Sequence, residues 1–209
     1  MSTNAMDTST VKVPSCFSRA IKRGFDIVCS VVGLICFSWL MALIWLAIYL
    51  EDRKSPLYKQ ERIGRNGKPF DIYKFRSMVV DAEVNGMAFC TPNDPRLTKV
   101  GKFIRSHHLD ELPQLWNVLK GDMSIVGYRP DRKVYIDQIM EQDPRYAWLY
   151  AMRPGLFSMA TRYNGYCDSM EKWMTRLEMD LDYMNNYSFW MDIKIIWVTA
   201  YAILSGKRF

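Results

Sequence analysis

From Ile27 to Leu50 the chain runs for 24 residues without a charged side chain, and no other stretch constrains its fold so strongly. A bilayer core takes about 20 apolar residues as a helix, so the run is long enough to cross one. A secretory signal would show an apolar region of only about 7–15 residues and then a small-residue cleavage site, which is missing here. A buried core helix is the other alternative, and membrane insertion is the expectation. Arg19, Lys22 and Arg23 precede the run; Arg53, Lys54, Lys59, Arg62 and Arg65 follow it. Two basic flanks give the positive-inside rule no clear winner and suit a segment that enters and leaves by the cytoplasmic face. Ser30 and Ser38 can bond a carbonyl one turn back and bend a helix, and Gly33 adds freedom. On these residues spanning and re-entrant paths are nearly level, and the re-entrant one is carried into the expected fold.

The 209 residues leave room for one domain with a real core. A net charge of +6 suits an anionic partner. The basic residues are scattered as short clusters and no nucleic-acid reading motif occurs, so phosphate handling is expected and nucleic acid is not. Cys16, Cys29, Cys36, Cys90 and Cys167 are odd in number and form no CxxC, which fits a reducing compartment rather than a disulfide framework. His107 and His108 are adjacent, point about 100° apart on a helix, and make a poor ligand pair.

Three parts are expected: a disordered leader over residues 1–18, an anchoring helix over 19–50, and one domain over 51–209. Asn66-Gly67 between aromatic-rich stretches at 57–60 and 70–75 predicts a β-hairpin, because both residues tolerate positive φ. Asn93-Asp94-Pro95 marks a loop. Residues 112–120 read as a short helix closed by Gly121, with Pro113 in its first turn. Residues 131–150 read as helix broken near Asp143-Pro144. Met170, Trp173, Met174, Leu177, Leu181 and Met184 recur at helical spacing and predict a core stripe. Residues 190–204 fit either an amphipathic helix on a membrane surface or an ordinary packing helix.

Chemistry-bearing residues are densest from Arg105 to Asn117. Asp110 and Glu111 stand at the start of the expected helix, where free N–H groups favour negative charge. Arg105 can clamp a phosphoryl group bidentately. An ionised Asp can attack phosphorus, and a second carboxylate can hold Mg²⁺. The plainer alternative is that Asp110 caps the helix and Glu111 decorates its first turn. Lys74 and Arg76 end a predicted strand, and Arg129 and Arg153 sit in Pro-rich turns. Each could face phosphate or simply bond carbonyls and water.

Taken together, Lys22-Arg23-Gly24-Phe25-Asp26, Gln60 to Gly67, Tyr73 to Met78 and above all Leu109 to Ser124 resemble the bacterial sugar transferase family, the monotopic polyprenyl-phosphate phosphoglycosyl transferases. The resemblance covers nearly the whole chain, from Lys22 to about Leu204. It implies a mostly helical α+β fold: an N-terminal membrane-inserted, re-entrant helix, then a small cytoplasmic catalytic domain with a short β-hairpin and amphipathic surface helices. It implies that Asp110 attacks the β-phosphorus of a UDP-sugar, releasing UMP and holding a covalent phosphosugar. Glu111 would bind Mg²⁺, and a polyprenyl phosphate would then take the phosphosugar. Arg105 matches a phosphate-contacting arginine and Lys74 a basic residue near the site; Arg129 and Arg153 match arginines of turns. A site on the cytoplasmic face of the bacterial inner membrane and an early step of capsule, exopolysaccharide, O-antigen or glycoprotein glycan assembly are implied as well. Three positions depart. Trp39 follows Ser38 where the family has Pro, Tyr128 replaces Pro in the Gly-Pro-Arg-Pro turn, and residues 156–163 differ from the family's Thr-Gly-Trp run.

Overall fold

Ser15 opens the first helix by accepting the Ser18 N–H, and α1 then runs Cys16–Asp52 to a left-handed Arg53. The computed structural model describes residues 15–82, 94–160 and 169–205. Most of the expected leader, the Asn93 position, Cys90, Cys167 and part of the 156–163 stretch lie outside them. α1 has 37 residues, about 55 Å at 1.5 Å per residue. Ser30 Oγ donates to Asp26 O, and Ser38 Oγ donates to Ile35 O at 2.8 Å, yet neither interrupts the helix.

One side of α1 lies against the rest of the protein in two seams. In the first, Cys29 and Leu34 pack on Ile72, Leu115, Val118, Met123, Ile125 and Val126. In the second, Ile44 and Ile48 pack with Phe75 and Ile104, joined by Leu40, Met41, Leu109 and Leu112. Between the seams all five residues from 35 to 39 are exposed. Polar contacts hold both ends. Arg23 donates to the carbonyls of Val118 and Leu119 at 2.6 and 2.8 Å, and Asp26 accepts from Ser124 Oγ and Ile125 N at 3.0 and 2.9 Å. At the far end Glu51 accepts from Lys99 N at 2.7 Å, and Asp52 forms a forked pair with Arg76 at 2.5 and 2.6 Å.

The hairpin forms as expected and is longer. β1 (Leu57–Ile63) pairs antiparallel with β2 (Pro69–Phe75), from Leu57 opposite Phe75 to Ile63 opposite Pro69. Asn66 and Gly67, at φ 60° and 68°, turn the chain. The added pairs come from Glu61, Arg62 and Ile63, and the charges of the first two obscure the strand pattern in the sequence.

α2 (Lys99–Ser106) is capped by Thr98. α3 (Gln114–Lys120) is closed by Gly121 at φ 99°, so its regular part begins two residues later than expected. β3 (Ser124–Val126) and β4 (Gly155–Phe157) pair in parallel. The helical stretch breaks where Asp143-Pro144 predicts, into α4 (Lys133–Gln142) and 3₁₀ turns over Pro144–Ala151. On α5 (Met170–Asn185) the stripe Trp173, Leu177, Leu181 and Met184 is core, packed with Ile63, Tyr128, Ile136 and Ile139. α6 (Phe189–Leu204) buries Ile195 and Ala202 and leaves Trp190, Trp197 and Tyr201 at 78%, 75% and 63% exposure. It packs on one side, as the packing alternative expected, and presents aromatics on the other.

α2 crosses the backbone at Ser77 so closely that a Cβ on Gly101 would lie 1.9 Å from the Ser77 carbonyl oxygen. Gly101→Ala is expected to force α2 off that crossing and to cost about 1–3 kcal/mol, the usual range for overpacking. A denaturant melt checks it; an unchanged midpoint would mean that the crossing yields freely.

Candidate active site

The acid pair sits on a single 3₁₀ turn, Leu109–Glu111, directly before α3. His108, left-handed at φ 55°, swings the chain out of α2 into that turn. Leu109 and Leu112 pack into the second seam of α1, so the two carboxylates between them are set from below by apolar contacts. α3 is pinned to β2 by Asn117, fully buried. Its Nδ2 donates to Asp71 O at 2.7 Å and its Oδ1 accepts from Tyr73 N at 3.0 Å, one bond on each side of Ile72. This pair of hydrogen bonds, in place of a neighbouring strand, fixes the distance between the Asp-Glu turn and Lys74.

Lys74 Nζ and Arg129 Nη2 both donate to Glu111 Oε1, at 2.8 and 2.9 Å. They converge over a narrow cleft, lined also by Arg62, Ile72, Gln114 and Pro130. Burial raises the Glu111 pKa, but Arg129 and Lys74 outweigh it and hold the carboxyl well below its ordinary value. Asp110 is 7% exposed, and burial followed by the neighbouring Glu111 charge pushes it up to about 6 against the pull of Lys74, Arg105 and Arg129. Two adjacent carboxylates pushed apart in this way have different roles available to them. Glu111 stays charged at any physiological pH. Asp110 is the less satisfied anion, mostly ionised at neutral pH and protonated in mild acid.

Burial also pushes Lys74 below its ordinary value while Glu111 holds it up. Arg105, in the last turn of α2, acts on Asp110 through its charge. The structure thus gathers Lys74, Arg105 and Arg129 around Asp110 and Glu111.

Two expected phosphate ligands belong elsewhere. Arg76 is 7% exposed; besides its fork to Asp52 it donates Nε to Ser55 O at 2.7 Å. It secures the end of α1 instead of facing a phosphate. Arg153 donates Nε to Gly121 O at 2.9 Å and lines a different cleft, near Arg65 and Arg23. Conversely, sequence reasoning passed over Arg62 and Gln114. Arg62 bonds Pro130 O and Gln60 but leaves its buried Nε without a partner among the described residues, and burial lowers its pKa to about 10. Gln114, 2% exposed, has an Nε2 that likewise finds no partner among the described residues. Both are donors on the cleft wall; Arg62 lay within the quoted Gln60–Gly67 resemblance, and Gln114 three residues beyond the acid pair.

An acid pair ringed by fixed cations, with spare donors in the wall, has the charge and the donors to suit a phosphorylated polyanion. The chain belongs to the bacterial sugar transferase family, whose pattern matches residues 17–206. It is similar to the UDP-N-acetylgalactosamine-undecaprenyl-phosphate N-acetylgalactosaminephosphotransferase of Aeromonas hydrophila, 39% identical over 194 residues, which covers 93% of this chain and 46% of that protein. The UDP-glucose:undecaprenyl-phosphate glucose-1-phosphate transferase of Escherichia coli (strain K12) is 39% identical over 192 residues, covering 91% and 41%. The exopolysaccharide production protein PSS of Rhizobium leguminosarum bv. phaseoli is 38% identical over 200 residues, covering 90% and 98%. The chain therefore spans less than half the length of the first two relatives and nearly all of the third.

With Asp110 at about pH 6 and acting as the base form, the rate is expected to rise with pH through about 6 and to level off near neutrality. A pH profile of kcat/KM reads this directly. A limb near pH 4 would mean that Asp110 is not the group whose ionisation matters.

Proposed function

We propose that the chain transfers a sugar-1-phosphate from a UDP-sugar to a polyprenyl phosphate such as undecaprenyl phosphate. An Asp110 carboxylate oxygen attacks the β-phosphorus, the bond from that phosphorus to the bridging oxygen breaks, and UMP leaves with the bridging oxygen. A phosphate oxygen of the lipid then attacks the same phosphorus and returns Asp110 to its carboxylate. The observation that carries this reading is the division within the acid pair: Glu111 is neutralised by Lys74 and Arg129, leaving Asp110 as the reactive anion beside them. Lys74, Arg105 and Arg129 balance the charge that accumulates when a dianionic pyrophosphate meets a carboxylate.

Mg²⁺ fits the residues in one manner. Among the described residues no three His, Cys, Asp or Glu side chains cluster. Glu111 engages its two cations through Oε1 alone, which leaves Oε2 for a metal. A hard cation held by one or two carboxylates and otherwise by substrate phosphates suits such a site. Bound there, Mg²⁺ would neutralise the phosphate oxygens as a Lewis acid.

α1 serves in this reading as a re-entrant anchor in the bacterial inner membrane, with the acid pair on the cytoplasmic side. Supporting it, Arg23 and Asp26 at one end and Glu51 and Asp52 at the other are bonded to the same domain, while residues 35–39 stand clear of it. To enter and leave by one face, α1, unbroken over its 37 residues, would have to bend within the exposed 35–39 stretch when it meets the bilayer. The product would feed the assembly of an exopolysaccharide or related glycan.

The test is nucleotide release by the purified chain given a panel of UDP-sugars, Mg²⁺ and undecaprenyl phosphate. UMP is expected, and the active donor identifies the sugar. UDP would instead make the protein an ordinary glycosyltransferase and overturn the proposal.

A further inference from the structure

A second cleft opens at the other end of the hairpin, between the start of α1 and the β3–β4 pair. It is a shallow cleft open to solvent; Arg19, Lys22, Asp26, Arg65, Arg153 and Tyr187 form most of its wall. Lys74 of the first cleft lies five residues along β2 from Pro69, so it stands roughly 16 Å from the hairpin turn that carries Arg65, at 3.3 Å per residue.

The wall has more cations than anions to answer them. Lys22 bonds Asp192 at 2.5 Å and lies 5.4 Å from the centre of the Tyr187 ring. Asp26 is turned inward to Ser124 and Ile125. Arg19 donates to Cys16 Sγ at 3.1 Å and Arg153 to the Gly121 carbonyl at 2.9 Å, neither to a carboxylate. Arg65 is the sharpest case, since its buried Nε has no partner among the described residues. Burial pushes the Arg153 pKa down, and Arg65 and Arg23 push it further, which places these guanidiniums in one another's field. An anion seated among them would relieve that repulsion and occupy the idle donors, and a phosphate matches the guanidinium fork.

The cleft also marks the border between polar and apolar surface. Asp26 is the last charge before the apolar run that begins at Ile27. Beyond Tyr187, Phe189 packs on Phe25 at 5.3 Å, and the next residue is the exposed Trp190. Resting on the membrane reading above, this border lies at headgroup level, where aromatic rings settle.

We propose that this cleft is a second phosphate site, separate from the acid pair. It seats the phosphate headgroup of an anionic membrane phospholipid against Arg19, Arg65 and Arg153, and so fixes the first turns of α1 at the bilayer surface.

Flotation of the full chain with phosphatidylcholine vesicles, with and without phosphatidylglycerol, tests it at fixed salt. The wild type is expected to bind both and to prefer the anionic vesicles. A surface cation contributes on the order of 1 kcal/mol to such binding, so the pair Arg19→Gln/Arg65→Gln is expected to reduce the preference by roughly 10-fold or more. Lys59→Gln/Lys133→Gln removes the same charge from exposed positions and is expected to keep most of it. Arg19→Lys/Arg65→Lys should restore the charge but only part of the preference, since it lacks the fork. Equal losses from both Gln pairs would mean general attraction and overturn the site. No binding to either vesicle would overturn the membrane reading, and this proposal with it. Undecaprenyl phosphate in phosphatidylcholine, and inorganic phosphate in solution read by a thermal melt, distinguish the other sources. A response confined to either, with none to phosphatidylglycerol, would overturn the phospholipid assignment.

Discussion

Asp110→Asn is expected to end turnover, lowering kcat by roughly 10⁴-fold or more, as removal of a nucleophile does. The amide keeps the shape of the carboxyl and cannot form the acyl phosphate. It also leaves the cations around Glu111 in place, so donor binding should persist while chemistry stops. Stability is expected to move the other way. Because Asp110 rises to about 6 on folding, from an unfolded value near 3.9, its charged form is disfavoured in the fold. That penalty is fully present above about pH 6 and absent below about pH 4. The variant should therefore melt higher than the wild type at neutral pH and equally at pH 4. Intact mass after incubation with a donor reads the adduct; a phosphosugar still attached to Asp110→Asn protein would sink the assignment.

Arg176→Met is expected to be the most destabilising single change away from the acid pair. Arg176 is 6% exposed on α5, ion-paired with Asp131, with Nε 4.0 Å from Asp180 and its guanidinium 4.5 Å from the centre of the Trp173 ring. Both partner carboxylates are buried, and burial already pushes Asp180 up to about 7. Removing one partner of a buried pair costs about 3–5 kcal/mol, because the remaining charge has nothing to face. For a chain of this length that is a fall in Tm of roughly 10 °C. Lower pH should narrow the deficit, since protonated Asp180 needs no cation. The effect should also reach the acid pair. Asp131 lies two residues from Arg129, and its carbonyl accepts from Ile63 N at 3.2 Å, so the segment presenting Arg129 to Glu111 is held at Asp131. A higher KM at a temperature well below the melt is expected. A shift in Tm under about 2 °C would show that the pair does not hold this segment.

How much of this was legible in the sequence varied with the range of the interaction. Asn66-Gly67, Gly121 and Asp143-Pro144 act on their own backbone, and the hairpin, the end of α3 and the break after α4 fall where they indicate. The stripe on α5 was legible because a helix repeats its buried face. Ser124–Val126 and Gly155–Phe157 are too short to show any period, and their parallel pairing is a property of the folded chain only. The acid pair stood out through its company, from Arg105 to Asn117. What Arg76 does could not be read locally, because its partner Asp52 lies 24 residues earlier on another element. Arg153 was likewise a lone turn arginine until folding set it near Arg65 and Arg23. The idle donors of Arg62 and Gln114 are visible only once burial is known.

The seams of α1 bear on how this protein can be handled. Ile44 and Ile48 complete one apolar cluster, Cys29 and Leu34 cover another, and Asp52 answers a buried arginine. A fragment cut after Asp52 would not be a catalytic domain freed of its tether, because it would lose part of its own interior and unpair Arg76. On the proposed membrane reading, the route to a water-soluble form is to repaint the helix and keep it. Val28, Val32, Ile35, Trp39, Leu43, Leu46 and Leu50 face outward, and polar residues at those positions would change the solvent α1 accepts without touching the surface on which the acid pair rests.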